Sequence, residues 1–315
     1  MKLIPILLFS LFSLCVNAQN ADFLIGIDCK TLQNEKYGKA ESNIFDIIMP
    51  VSARPTALII FIHGGGFLFG DKKEAYEYGK EDIKYYLDKG IAFATLNYRF
   101  FKTDDSIGVG RCLNDVKTAI QYIRHNAGKY NINKGFIGCY GISAGAGSSL
   151  YLAFHDDMAL KNDTTLLGES TRIKCAGAIS TQATYDLFRW LDYIPKLKFV
   201  VSLKKKQFYN SIANFYGYPD YQSFKPMEGI IPAQFDLLPM ISADDPPIYI
   251  INLQKQRFPV NYSIIEHHRA HAIILADYLE KSNVKHEVYI YSHSIKSDKD
   301  VKTPIRDFMV NNLKN

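Results

Sequence analysis

Phe136-Ile137-Gly138-Cys139-Tyr140 followed by Gly141-Ile142-Ser143-Ala144-Gly145 is the stretch on which the reading of this chain turns. The first five residues form an apolar run of the kind that lies inside a sheet. The next five match G-x-S-x-G, which places a serine on a sharp strand-to-helix turn with its Oγ exposed. Such a turn brings neighbouring backbone segments very close, and glycine on either side removes the Cβ atoms that would collide. The N–H of Ala144, just past the serine, then faces the same space as the Ser143 hydroxyl. That is the arrangement required to hold an oxyanion beside a nucleophile.

Working outward from this turn, a second glycine cluster lies upstream. His63-Gly64-Gly65-Gly66-Phe67 directly follows the apolar run Ala57 to Ile62. Three glycines let the chain turn tightly and present N–H groups to a ligand oxygen, so Gly65 and Gly66 are candidate partners of Ala144 in an oxyanion hole. A plain tight turn or a phosphate loop is the alternative, but neither G-x-G-x-x-G nor a Walker pattern fits these residues.

Further apolar runs at Ile91–Leu96, Cys175–Ile179, Ile248–Ile251 and Val288–Tyr291 read as parallel strands buried on both faces. Between two of the strands, Leu113, Val116, Ile120 and Ile123 recur at helical spacing, with Gly128 where the helix can stop. A second amphipathic helix is expected from about Ile264 to Lys281. Strands alternating with helices give a doubly wound, mostly parallel α/β sheet. Residues 186 to 245 are irregular, rich in Phe, Tyr and Pro, and contain Lys204-Lys205-Lys206. They read as an inserted cap region over the sheet within one domain spanning 19–315.

The chain resembles the carboxylesterase and hormone-sensitive-lipase-like branch of the α/β-hydrolases. The resemblance rests on His63-Gly-Gly-Gly-Phe67, Asn97-Tyr98-Arg99, Asp115, Gly141-x-Ser-Ala-Gly145 and Asp245-Pro246-Pro247. It covers roughly residues 45 to 293, and bacterial acetyl- and feruloyl-esterases share the same look. It implies Ser143 as nucleophile and Gly65, Gly66 and Ala144 as oxyanion donors, with Asn97, Arg99 and Asp115 structural or at the entrance. It further implies a small-molecule or carbohydrate ester as substrate, an acyl-enzyme intermediate, and no cofactor.

The base is expected late in the chain, since the order in this fold is serine, acid, histidine. His293, after the run Val288 to Tyr291, is the candidate, although the loop before it is shorter than the family's. His286 lies ahead of that run, at the wrong edge of the sheet. The acid is unassigned: the loop after Ile248–Ile251 reads Asn252-Leu-Gln-Lys-Gln-Arg-Phe-Pro259 and holds no carboxylate. Glu266 and Asp186 are the alternatives. Glu266, His267, His268 and His271 cluster at helical spacing. With no third well-spaced ligand they read as a solvated helix face rather than a metal site.

Composition sets the remaining bounds. A formal charge of +5 over 315 residues, with no basic stripe, does not favour a nucleic-acid partner. Met1-Lys2, the apolar run to Val16 and Val16-Asn17-Ala18 read as a signal peptide over 1–18, too short for a membrane span. This implies export to the periplasm or medium. Cys29, Cys112, Cys139 and Cys175 remain in the mature chain without zinc or redox spacing, and whether any pair as disulfides is left open. The expected function is an exported serine esterase. A peptidase of the same fold, and a binding protein lacking the triad acid, are the alternatives.

Overall fold

The apolar runs become the strands of a single sheet. In the structure, a computed structural model describing residues 22–313 except 256, they are β3 (Thr56–Ile62), β4 (Ala92–Leu96), β5 (Ile132–Ile142), β6 (Ala176–Ile179), β7 (Ile248–Asn252) and β8 (His286–Ile290). The segment read as a signal peptide, 1–18, lies outside the described residues. Two further strands, β1 (Cys29–Lys36) and β2 (Ile44–Pro50), were not expected and close one edge. The order is β1-β2-β4-β3-β5-β6-β7-β8, antiparallel at β1/β2 and β2/β4 and parallel from β4 through β3 to β8.

Burial on both faces explains the unbroken apolar runs. In β3, Leu58, Ile60 and Ile62 pack into one core layer, while Ile59 and Phe61 pack into the other. The first layer is covered by α3 (Val109–His125) and α4 (Ala144–Phe154), whose Leu113, Val116, Ile120 and Ile123 are all buried as their spacing requires. The second is covered by α2 (Lys80–Asp88), which follows the short α1 (Glu74–Tyr78), and by the C-terminal α11 (Ile305–Leu313). Between β6 and β7 the chain leaves the sheet for α5 (Trp190–Tyr193), α6 (Leu197–Leu203), α7 (Lys205–Phe215) and α8 (Tyr221–Phe224). The insertion expected at 186–245 falls within this excursion.

The expected helix from Ile264 to Lys281 is two helices. α9 (Tyr262–Glu266) and α10 (Ala270–Lys281) are separated by His267, His268 and Arg269. Neither Gly nor Pro interrupts this segment, so propensity does not account for the break. Tertiary hydrogen bonds do. Gln182 Nε2 donates to the Glu266 carbonyl at 2.9 Å and Asn252 Nδ2 to the His267 carbonyl at 3.1 Å. His271 Nε2 donates to the Ile265 carbonyl at 3.0 Å. Three successive carbonyls are thus satisfied by side chains, and the Ala270 N–H is capped by His268 Nδ1 at 3.1 Å.

Cys112, Cys139 and Cys175 are buried, Cys29 is half-buried, and all four are free thiols. Among the described residues no helix is long and apolar enough to cross a membrane.

Candidate active site

Register brings the two glycine motifs together. Ile62 of β3 pairs with Gly141 of β5, so the loops that leave these parallel neighbours start at the same level. Ser143 sits at φ 54°, ψ −117°, an unfavourable conformation for a side chain, between β5 and α4. Its N–H donates to the Ile179 carbonyl of β6 at 2.9 Å, which ties the strained turn to the sheet. A Cβ on Gly145 would lie 2.0 Å from the Ile62 carbonyl oxygen, and one on Gly141 2.5 Å from it. Both positions must therefore be glycine for the elbow to pack against β3.

The upstream loop is held from below. The buried His63 ring stacks on Tyr98 with centroids 4.4 Å apart, and the Tyr98 hydroxyl lies 3.0 Å from the His63 carbonyl and 3.1 Å from that of Gly64. Gly65 has φ +93° and a Cβ there would meet the Phe69 carbonyl at 1.9 Å, so this turn too excludes side chains. Gly66, Ser143 and Ala144 line one cavity of about 270 Å³. Ala144 is the first residue of α4, where the backbone N–H has no partner within the helix. Of the expected oxyanion donors, Gly66 and Ala144 thus share the cavity with Ser143, and Gly65 is not part of its lining. Arg99 and Asp115 are joined as an ion pair at 2.6 Å, and Asn43 Nδ2 donates to Asp115 at 2.8 Å, a structural network consistent with their expected place.

The histidine at Ser143 differs from the one expected. His267 Nε2 lies 2.9 Å from Ser143 Oγ, while His293 lies on an exposed turn after β8. The break between α9 and α10 causes this: it ends α9 at Glu266 and swings the next side chain onto the elbow. His267 is therefore not part of a solvated helix face, as its spacing suggested. His271 is also buried, with Nδ1 facing the Tyr193 hydroxyl at 2.9 Å. Burial pushes the His271 imidazole down to about 3, so it stays neutral. No group of three or more His, Cys, Asp or Glu among the described residues is placed to hold a metal ion.

Neither candidate acid touches His267. Asp186 accepts from the Phe188 N–H at 3.1 Å. Glu266 lines the cavity, its carboxylate has no hydrogen-bond or ion-pair partner among the described residues, and burial raises its pKa to about 7. The place of the acid is taken by a main-chain group, since His267 Nδ1 lies 3.0 Å from the Ser263 carbonyl, one helical turn back. A carbonyl can only accept, so Nδ1 carries the proton and Nε2 offers its lone pair to the Ser143 hydroxyl. Burial, only partly offset by this bond, holds the imidazole below its ordinary pKa. It is neutral near pH 7, the form a general base needs. The side chains that secure the break, Gln182 just past β6 and Asn252 at the end of β7, donate from distant elements, so the segment itself carries no signal for it.

Known proteins resemble this chain in sequence and in fold. The profile of the BD-FAE family matches residues 45–263. Venom carboxylesterase-6 of Apis mellifera is 30% identical over 127 residues, covering 38% of this chain and 22% of that protein. Kynurenine formamidase of Danio rerio is 31% identical over 160 residues, covering 50% of this chain and 47% of its own. The chain thus spans less than half the length of these curated relatives. Among solved structures, a truncated carbohydrate esterase from gut microbiota superposes with a TM-score of 0.66 at 18% identity, covering 91% of this chain and 97% of that one.

Proposed function

The chain belongs to the BD-FAE family of α/β-hydrolases, and from that premise we propose that it is a serine esterase cleaving carboxylic esters through an acyl-enzyme on Ser143. The observation that carries this reading is the 2.9 Å contact between Ser143 Oγ and His267 Nε2 at a cavity that Gly66 and Ala144 also line.

The steps follow from the groups in place. His267 Nε2 takes the Ser143 proton as Oγ bonds to the ester carbonyl carbon, whose oxygen becomes negative. The N–H groups of Gly65, Gly66 and Ala144 receive that charge. As the carbon–alkoxide bond breaks, Nε2 returns the proton to the departing alcohol. Water, deprotonated by the same nitrogen, then attacks the acyl-enzyme and frees Ser143. The Ser263 carbonyl keeps the imidazole in the right tautomer throughout. It gives the imidazolium less charge stabilisation than a carboxylate would, so turnover below the ordinary ~10 s⁻¹ of enzymes is expected. The carbohydrate esterase that shares the fold supports acyl groups on sugars as the substrate class.

A fluorophosphonate probe should label the protein and place its adduct on Ser143 by mass spectrometry. Labelling that persists in Ser143→Ala would remove the nucleophile assignment, and no labelling at all would favour a binding protein on this scaffold. Export is proposed from the apolar run before Gln19. N-terminal sequencing of protein from the native host should start at or near Gln19, and an intact Met1 form inside the cell would refute it.

A further inference from the structure

The cavity beside Ser143 has an unusual charge balance. Among the described residues Glu266 is its one carboxylate, and no lysine, arginine or histidine is part of the lining. Six aromatic residues share the wall with the polar Thr103, Gln182, Ser211 and Asn214. Phe67 and Tyr185 lie 5.3 Å apart between centroids, Tyr185 and Phe215 5.8 Å, and Phe101 and Phe215 5.8 Å, and Trp190 and Tyr262 are the other two rings. Trp190 spends its N–H on the Thr184 carbonyl at 2.9 Å, which leaves its ring as an apolar surface. No described residue bonds to this carboxylate. The fold breaks at His267 through the Glu266 carbonyl, which any residue would supply, and not through its side chain.

An uncompensated, half-buried carboxylate disfavours its own charged form, and burial makes Glu266 hold its proton to about pH 7. A ligand cation would reverse this penalty. The aromatic faces around it carry negative electrostatic potential and attract cations, most strongly when water is displaced. A neutral ligand gains apolar contact and hydrogen bonds but leaves the carboxylate without a counter-charge, and an anion meets repulsion from Glu266.

We propose that the catalytic cavity selects esters bearing an ammonium group, held between the Glu266 carboxylate and the aromatic wall of Phe67, Phe101, Tyr185, Trp190, Phe215 and Tyr262. Glu266 is then a specificity-determining residue of the proposed esterase. This inference rests on the esterase reading of Ser143 and narrows its substrate class. The titratable groups around Glu266 are Tyr185 and Tyr262, both held neutral by burial, and the adjacent His267.

The test uses isosteric pairs at pH 8, where Glu266 is ionised. Acetylcholine against 3,3-dimethylbutyl acetate places the charge on the alcohol. The 4-nitrophenyl ester of 4-(trimethylammonio)butanoate against that of 5,5-dimethylhexanoate places it on the acyl group. In at least one pair the cation should be favoured by roughly tenfold or more in kcat/KM. The pair that shows it identifies which side of the ester fills the cavity. In Glu266→Gln that ratio should fall towards one, and Glu266→Asp should keep part of it. Binding of the same pairs to Ser143→Ala, by calorimetry, should show the same preference without turnover. A wild-type ratio of one or less in both pairs, in kinetics and in binding, overturns the inference whatever the variants do. A ratio unchanged in Glu266→Gln also overturns it. Absent turnover with the binding preference intact would instead count against the esterase reading and leave the cation site supported.

Discussion

His267→Ala should lower kcat/KM for a short-chain ester by about 10⁴–10⁶, the range seen when the base of a serine triad is removed. His293→Ala should leave it essentially unchanged. The contrast rests on one distance and one exposure: His267 Nε2 is 2.9 Å from Ser143 Oγ, and His293 stands on an exposed turn. The same base sets the acid limb of the pH profile. Because burial lowers the His267 pKa, kcat/KM should stay high down to pH values below the ordinary histidine range, and fall as pH drops through that lowered value. A midpoint above about 6.5 would contradict the burial argument. If His293→Ala collapses activity and His267→Ala does not, the base belongs in the loop after β8 and the contact at Ser143 is not the catalytic one.

Gly145→Ala should also be severe, although it touches no reacting atom. The added methyl would sit 2.0 Å from the Ile62 carbonyl oxygen and 2.6 Å from that of His63, both backbone atoms that no side-chain rotation can clear. β3 and the start of α4 must move apart, and they carry the two halves of the oxyanion hole. A displacement of about 1 Å in such a site costs roughly 10²-fold in rate. Activity should therefore drop by about that factor or more, with a fall of about 1–3 kcal/mol in unfolding free energy from the forced overpacking. Gly128→Ala, at a glycine whose Cβ meets nothing within 4 Å, is the control that should show neither effect. Wild-type rates in folded Gly145→Ala would show that the elbow tolerates movement and that the clash argument is too strong.

The amino-acid sequence by itself determined the parallel strands, the turn at Ser143 and its glycines. Each is a local matter. A run such as Ala57 to Ile62 is apolar throughout because both faces of β3 are covered, and the glycines at 65, 141 and 145 answer to backbone approaches closer than any Cβ permits. The strand β1 shows weak alternation because half its residues are exposed and it carries Lys30, Gln33, Asn34 and Glu35, while the apolar run of β2 is interrupted by Asp46, a buried carboxylate paired with Lys72. Only tertiary structure decided which histidine stands at Ser143 and what its Nδ1 meets. Ile264 to Lys281 has the periodicity of one helix, and nothing in His267-His268-Arg269 announces an end. The break exists because Gln182, Asn252 and His271 reach in to claim three consecutive carbonyls. Two of these donors lie 84 and 15 residues from the carbonyls they bind, a separation that local pattern does not encode. The partner of Nδ1 was invisible for a different reason: it is the Ser263 carbonyl, a main-chain group that every residue possesses, so no side chain marks its place.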